Sequence, residues 1–214
     1  MLLQSIDPSS SVSGGSILGD KTRMTLLSRQ TNAYVRPSPS CGSLGGVARN
    51  TCDSIVLCEA AGYDVVVVET VGVGQSETAV ADMVDMYVMI VPPAGGDVLQ
   101  GLKRGIVELV DLVLVNKCDG DLLPAARRAK LEYMSAIKLL RRRNPLWSPT
   151  VLSVSAIKHT GLEDTWDSMT AYVCVPTSCV RRHKPPCYRQ TTVLSTNARL
   201  VVSKLMHNDC IGSV

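Results

Sequence analysis

The chain has 214 residues, 45% of them hydrophobic, which is enough for a buried core and excludes wholesale disorder. Residues 1–172 carry 16 basic against 18 acidic side chains, so the net charge of +3 comes from residues 173–214, with 6 basic and 1 acidic. Nucleic acid is therefore not an expected partner of the body of the chain, and no apolar run is long enough for a membrane span.

Eight cysteines are spread through the sequence, four before residue 173 and four after it. The first four follow no metal-binding spacing, and the opening residues MLLQSIDPSS lack the basic flank and long apolar stretch of a signal peptide. We therefore expect free thiols in a reducing compartment.

The first predicted elements are short apolar segments separated by loops. Residues 2–6 form an apolar segment that ends at Asp7, and a loop rich in serine and glycine follows. Residues 47–61 have the spacing of a helix that stops at Gly62, and residues 65–69, with the sequence VVVVE, form a strand. Since its four valines are consecutive, we expect this strand to be buried on both faces of a parallel sheet.

The alternation of strands and helices then continues. The predicted helices are 79–85, 99–110, 126–143 and 162–172, and the predicted strands are 86–91, 111–117 and 150–156. This pattern predicts an α/β fold, a doubly wound and mostly parallel sheet with helices on both faces. After residue 172 the periodicity ends, so we predict a domain at 1–172 and a basic, poorly ordered tail at 173–214.

Ligands of such sheets bind at the carboxyl ends of the strands, and residues 116–119 stand at one of these ends. Asn116, Lys117, Cys118 and Asp119 match N-K-x-D, the guanine-reading motif of GTPases. A carboxylate at the fourth position can accept hydrogen bonds from both the ring N1–H and the exocyclic amine of guanine, a pair that adenine does not offer. The alternative interpretation is a solvated polar turn.

Ser155, Ala156 and Ile157 end the next predicted strand. In GTPases an S-A-x element at this position directs a backbone N–H at guanine O6, and small side chains permit the close approach. The tripeptide is commonplace by itself. Its position, one helix and one strand after N-K-x-D, favours the base-binding interpretation.

Glu69 ends the valine strand, and residues 70–75, with the sequence TVGVGQ, form a glycine-containing turn after it. A carboxylate at this position can hold Mg²⁺, directly or through water, next to a mobile switch. A dinucleotide-binding turn is disfavoured because the third glycine of G-x-G-x-x-G is missing. A simple turn in which Glu69 caps the backbone remains an alternative.

A phosphate-binding loop, G-x-x-x-x-G-K-[ST], should accompany these motifs after a first strand. The nearest candidate is residues 14–22, with the sequence GGSILGDKT. Asp20 stands between the glycine and the lysine and brings negative charge to the place of the phosphate, and a serine-rich loop precedes it instead of a strand. We therefore predict that the first strand and the phosphate loop are missing from these 214 residues.

Long stretches of the sequence resemble one family, the methylmalonyl-CoA mutase-associated GTPases of the MeaB/MMAA type, formerly ArgK. The resemblance covers roughly residues 4–172 and includes the stretches IDPSSSVSGGSILGDKTRM, RPSPSCGSLGGV, GYDVVVVETVGVGQSETAVADMVDM, PPAGGDVLQGLKRGI and NKCDGDLLPAARRAKLEYMSAIKLLRRR. It implies a P-loop GTPase fold of the SIMIBI class that binds GTP or GDP with Mg²⁺.

The resemblance also implies metal-binding and catalytic positions. Asp7 and Asp20 are similar to the family's acidic residues around Mg²⁺ and the first switch. Glu69 resembles the carboxylate of the second switch, which also contacts the metal. Residues Gly72 to Gln75 resemble the catalytic turn of that switch.

Further positions are implied for partner response and base recognition. Asp97 and Lys103 resemble residues of an extra switch segment that responds to the partner mutase. The base-specificity element of the family corresponds to Asn116, Lys117, Asp119, Ser155, Ala156 and Ile157.

Proteins of this family couple GTP binding and hydrolysis to the loading of adenosylcobalamin into methylmalonyl-CoA mutase and to protection of that enzyme. The resemblance implies the same partner here. Family members form homodimers, although residues 173–214 replace the dimerisation segment in this chain. Eukaryotic members work in the mitochondrial matrix, so we expect that location for a eukaryotic chain and the cytoplasm otherwise.

Two alternatives stay open. Without a phosphate loop, the chain could be a truncated interaction module of the same family that binds GTP weakly and does not hydrolyse it. In the tail, Cys174, Cys179, His183 and Cys187 could hold zinc, although their spacings match no standard ligand pair.

Overall fold

The computed structural model describes residues 2–7, 24–39, 51–70, 80–93, 107–140, 145–175 and 198–204. The chain forms two compact units. Unit 1 comprises Met1–Tyr87 and Pro176–Ser203, and unit 2 comprises Val88–Val175 and Lys204–Val214. The domain boundary expected after residue 172 stays a prediction.

Unit 1 is built around four parallel strands in the order β2-β1-β3-β7. These strands are β1 (Leu2–Asp7), β2 (Tyr34–Pro39), β3 (Val65–Thr70) and β7 (Ala198–Lys204, whose last residue belongs to unit 2). Its described helices are α1 (Thr25–Ser28) and α2 (Thr51–Ala60). Neither β2 nor β7 was expected from the sequence. β2 tolerates Pro37 and Pro39 because, among the described strands, it pairs only with β1, and an edge strand can lack ladder donors.

The valine strand β3 is buried less evenly than its sequence suggests. Val66, Val68 and Thr70 are buried, whereas the alternate residues Val65, Val67 and Glu69 are half-buried. The expectation of burial on both faces is therefore met fully on one face of β3 and only in part on the other. Successive side chains point to opposite faces of a strand, so Glu69 lies on the less buried face, which suits a carboxylate.

Unit 2 contains three parallel strands in the order β4-β5-β6. They are β4 (Met86–Val91, whose first two residues belong to unit 1), β5 (Leu112–Val115) and β6 (Thr150–Ser153). A 3-10 turn (Gly120–Leu122) leads into helix α3 (Leu123–Leu139), and helix α4 (Leu162–Val173) follows β6. Pro124 in the first turn of α3 is well tolerated there because the missing N–H would have no partner in the helix.

The core of unit 2 forms where α3 covers the sheet. All four residues of β5 are buried, as the continuous apolar run predicts. Helix α3 contributes Ala126, Ala129 and Tyr133, which recur at helical spacing and are buried. On α4, Tyr172 packs edge-on against Trp147 with ring centroids 5.0 Å apart.

The structure corrects two predicted helices. Of the predicted helix 79–85, the structure describes residues 80–85: residues 80–81 are helical, and residues 82–85 form a turn and a bend that lead directly into β4. The predicted helix 126–143 begins at Leu123 and ends at Leu139. Of the predicted helix 99–110, only residues 107–110 are described; residue 107 is helical and residues 108–109 form a turn.

The predicted α/β class is confirmed. Within each unit, every pair of described strands is parallel. Parallel strands need long crossover connections, and helices supply them in the described ranges. No helix in those ranges has both the length and the apolar character to cross a bilayer.

Candidate functional site

The carboxyl ends of β5 and β6 bring the two predicted base-binding segments together in unit 2. These strands are parallel, with Val115 opposite Ser153, so residues 116–119 and 155–157 leave the sheet at the same edge. Just beyond the paired residues, the N–H of Val154 donates to the carbonyl of Val115 over 2.8 Å. The backbone pairing thus continues into the start of the second loop.

Asn116 connects both loops to the end of a third strand. Its N–H donates to the carbonyl of Val91, the last residue of β4, over 2.9 Å. Its side-chain Oδ1 accepts the N–H of Lys117 at 2.8 Å and the N–H of Ala156 at 3.4 Å. The second bond is longer than an ordinary N–H···O bond and is correspondingly weak. One amide side chain therefore organises the two predicted base-binding segments.

A left-handed residue turns the chain between Asn116 and Asp119. Lys117 has φ of 59° and an exposed side chain, a conformation uncommon outside glycine. The next residue, Cys118, points back to the sheet: its N–H donates to Val154 O over 3.1 Å and its thiol to Val115 O over 3.0 Å. Cys118 thereby anchors the turn, while Lys117 stays in solvent.

Asp119 is held by a serine from the second loop. Ser155 is fully buried, and its hydroxyl donates to Oδ2 of Asp119 while accepting the N–H of Lys158 at 3.1 Å. Asp119 itself is half-buried, and no described residue donates to its Oδ1. Because a carboxylate oxygen can accept more than one hydrogen bond, Asp119 keeps acceptor capacity for a ligand.

Residues 155–160 form a short closed loop. The N–H of Ser155 donates to the carbonyl of Thr160 over 3.1 Å, so the two ends of the loop form an isolated antiparallel bridge. The residues between them are exposed, and Ile157 retains 81% of its accessible surface. The predicted segment therefore presents its tip, with the exposed Ala156, to solvent.

Helix α4 begins against the last residues of β6, a contact that the sequence interpretation did not include. Gly161 precedes the helix with φ of 74°, and a Cβ built there would lie 2.3 Å from the carbonyl oxygen of Ser153. Its carbonyl accepts both the N–H of Thr165, at 3.2 Å, and the hydroxyl of Thr165, at 2.6 Å. A glycine directly before a predicted helix was the available signal for a special backbone position.

In unit 1, Asp7 and Glu69 lie at the carboxyl ends of the adjacent strands β1 and β3. Ser5 lies opposite Glu69 in the parallel pair of β1 and β3, and Asp7 is the last residue of β1. The two acidic residues therefore stand at the same edge of this sheet, and carboxylate oxygens are the protein ligands that suit Mg²⁺. Among the described residues, no group of three His, Cys, Asp or Glu side chains could hold a metal ion.

The other predicted site residues lie outside the described residues. They are Asp20, Gly72, Gln75, Asp97 and Lys103. The same is true of three of the four candidate zinc ligands in the tail, Cys179, His183 and Cys187. The fourth, Cys174, is exposed, and among the described residues Cys52, Cys58, Cys118 and Cys174 form no disulfide.

The sequence is similar to proteins from bacteria and animals. The mitochondrial methylmalonic aciduria type A homolog of Mus musculus is 61% identical over 167 residues, which are 78% of this chain and 40% of the mouse protein. The homolog of the same name from Caenorhabditis elegans is 51% identical over 164 residues, 77% of this chain and 41% of that protein. GTPase ArgK of Escherichia coli is 51% identical over 164 residues, 77% of this chain and 50% of the bacterial protein. The chain thus spans 40% to 50% of the length of these relatives.

A solved structure and a family model agree with these relatives. The crystal structure of LAO/AO transport system kinase is similar with a TM-score of 0.62 and 37% identity, over 79% of this chain and 48% of that one. The model of the family described as methylmalonyl Co-A mutase-associated GTPase MeaB matches residues 2–210. Because that match extends over nearly the whole sequence, the chain belongs to the MeaB family of methylmalonyl-CoA mutase-associated GTPases.

Proposed function

We propose that this chain selects guanine nucleotides through Asp119 and acts as a GTP-hydrolysing chaperone of methylmalonyl-CoA mutase. The observation that carries the proposal is the contact between Ser155 and Asp119. A fully buried hydroxyl fixes one oxygen of a half-buried carboxylate, while the other oxygen accepts nothing from the described residues. Membership in a family of GTPases supports the same function.

Base selection follows from the donors that guanine offers. Its N1–H and its exocyclic amine can both donate to Asp119, whereas adenine presents an acceptor at N1 and would leave the carboxylate unpaired. The 3.4 Å bond from the Ala156 N–H to Asn116 is weak enough to be exchanged for a bond to guanine O6. The exposed Lys117 can lay its aliphatic stem along the base.

Hydrolysis would take place beside the carboxyl ends of β1 and β3. Water attacks the γ-phosphate in line, and the protein contributes positioning and electrostatic stabilisation more than covalent chemistry. Glu69 and Asp7 are the residues that we propose to hold Mg²⁺, together with Asp20. The ion supplies positive charge to the phosphate oxygens when it is bound. Gly72 and Gln75 belong to the turn that we propose to position the attacking water.

We propose methylmalonyl-CoA mutase as the partner and adenosylcobalamin loading and protection of that enzyme as the outcome. The family is named for its association with this mutase. Asp97 and Lys103 are the residues that we propose to respond to it. Relatives from mouse and Caenorhabditis elegans are named mitochondrial, which supports the mitochondrial matrix as the location for a eukaryotic chain.

Titration of the intact chain with fluorescent guanine, xanthine and adenine nucleotides in the presence of Mg²⁺ tests base selection. Asp119→Asn should weaken guanine binding by about 100-fold or more and favour xanthine, because an amide donor then faces the second carbonyl of xanthine. Asp121→Asn is the matched control, since Asp121 is an exposed acid two residues away in the 3-10 turn. A wild-type chain without guanine preference would contradict the proposal.

Phosphate release and mutase binding test the remaining steps separately. Guanine-specific binding with Mg²⁺-dependent phosphate release supports the GTPase proposal, and Glu69→Gln should slow that release without changing base preference. Guanine-specific binding without release would instead identify the chain as a non-hydrolysing interaction module. Binding of the mutase should depend on whether GTP or GDP is present.

A further inference from the structure

We propose that the start of helix α4 positions the base-binding loop, residues 155–160, and thereby sets how strongly the chain selects guanine. Gly161 and Thr165 are the positioning residues, and neither needs to touch the nucleotide. The inference rests on the proposed role of Asp119 and adds a determinant outside both sequence motifs.

Gly161 seats the helix directly on the strand that leads into the loop. A Cβ at this position would lie 2.3 Å from Ser153 O and 3.4 Å from the Cα of Val154. The backbone of Gly161 therefore lies so close to that of residues 153–154 that no side chain fits between them. Val154 in turn pairs with β5 through its N–H and with the turn of the first motif through its carbonyl. The position of Gly161 is therefore transmitted to both base-binding segments through the backbone.

Thr165 holds Gly161 from within the helix. Its side chain is buried, and the only acceptor for its hydroxyl among the described residues is the carbonyl of Gly161, at 2.6 Å. Gly161 offers no side chain, so α4 begins without a side-chain cap. The hydroxyl of Thr165 therefore adds a second hydrogen bond to the first backbone bond of the helix, where ends otherwise fray.

The loop of residues 155–160 is short, so the hydrogen bonds that hold Gly161 also restrict the position of the loop. Thr160 directly precedes Gly161, and its carbonyl closes the loop by accepting the N–H of Ser155. Ser155 then fixes Asp119 through its hydroxyl. If the start of α4 loosens, the closing bond weakens and Asp119 loses its fixed orientation, so its bond to the exocyclic amine, which IDP lacks, is no longer held in line with its bond to N1–H and contributes less.

The test compares GDP with IDP, whose base lacks the exocyclic amine, on the intact chain. The ratio of the two affinities reports the amine contact with Asp119, whereas partial unfolding lowers both affinities equally. Thr165→Val keeps the shape of the side chain and removes the hydroxyl. Thr170→Val is the matched control, because the hydroxyl of Thr170 also bonds carbonyls of its own helix, those of Trp166 at 3.1 Å and Asp167 at 2.9 Å, on the exposed side.

We expect Thr165→Val to lower the preference for GDP over IDP by about threefold to tenfold, the effect of one hydrogen bond. Thr165→Ser, which keeps the hydroxyl, should retain the wild-type preference, and so should Thr170→Val. An unchanged preference in Thr165→Val, or an equal loss in Thr170→Val, overturns the inference.

Amide hydrogen exchange without nucleotide provides a second, independent readout. In the wild-type chain, the amides of Ser155 and Thr165 should exchange with the same free energy of opening, because the loop and the first turn of α4 should open together. Thr165→Val should accelerate both, and that of Lys158, while Val154 exchanges as before. Separate opening of the loop and the helix overturns the inference. Absence of guanine preference in the wild type contradicts the proposed function only, and exchange still decides the positioning role.

Discussion

The two strand ends that carry predicted site residues are organised differently. In unit 2, side-chain and backbone hydrogen bonds fix the loops after β5 and β6 to one another, with Asn116 and Ser155 at their centre. In unit 1, the described part of the proposed metal site is the pairing of β1 with β3, which brings the ends of these two strands to one edge of the sheet. The proposed base site is therefore preorganised within one compact unit, whereas the proposed metal chemistry draws on further segments of the chain.

Preorganisation of the base site predicts a large cost for changing the backbone at Gly161. Gly161→Ala combines a positive φ with a Cβ placed 2.3 Å from Ser153 O, so unit 2 should lose about 2–4 kcal/mol of unfolding free energy. Gly120→Ala is the matched control, because Gly120 also has positive φ, of 52°, but nothing within 4 Å of its Cβ position. It should cost about 1 kcal/mol.

Urea unfolding followed by tryptophan fluorescence measures both variants. The chain has two tryptophans, Trp147 and Trp166, and both belong to unit 2. Equal losses for the two glycine variants would show that the contact with β6 contributes nothing, and the contrast between the two strand ends would then rest on side chains alone.

Removal of the buried hydroxyl of Ser155 should have an intermediate effect. Ser155→Ala leaves the Asp119 carboxylate without its donor and the Lys158 N–H without its acceptor, so we expect a loss of about 1–3 kcal/mol in unit 2. Guanine affinity should fall by about tenfold. Ser135→Ala removes an exposed hydroxyl that bonds Leu131 O on α3, and its effect should stay within about 0.5 kcal/mol.

The measurements for the serine pair are the same urea transition and a titration with GDP. If Ser155→Ala binds GDP as tightly as the wild type, Asp119 does not need the hydroxyl and the network is merely structural. A similar loss in Ser135→Ala would point to a general effect of serine removal.

The smallest expected effect concerns Tyr133, under the sheet of unit 2. Its ring is fully buried, and its hydroxyl has no hydrogen-bond partner among the described residues. Tyr133→Phe should therefore change the stability at pH 7 by at most about 1 kcal/mol, in the stabilising direction, because an unpaired buried hydroxyl is costly.

The same variant should change the pH dependence of stability. Burial, with a smaller contribution from the charge of Glu132, raises the pKa of Tyr133 well above its ordinary value. The stability from keeping this phenol neutral is fully present below the unfolded pKa, about 10, and is lost as the pH rises above it. Urea unfolding between pH 7 and pH 11 should show a shallower alkaline decline in Tyr133→Phe. An equal decline in both proteins would contradict the burial argument.

The sequence predicted strands β3 to β6 well because their signal is local. Runs of valine, leucine and isoleucine gave β3 to β6 with small errors at their ends, and the amphipathic spacing gave α3 and α4. β2 was missed because its two prolines argue against a strand, and β7 because the sequence around it has no periodicity. For β2, pairing with β1 outweighed local preference, whereas residues 200–202 of β7, with the sequence LVV, themselves favour a strand.

The sequence by itself determined the α/β class and the family of the chain and predicted the base-reading residues, since each depends on the order of residue types along the chain. Only the tertiary structure decided how the base site is held together. The link from Ser155 to Asp119 joins residues on different loops, and the contact of Gly161 with Ser153 depends on where a helix meets a strand. Such contacts follow from the packing of elements in three dimensions, which no local pattern of residues encodes.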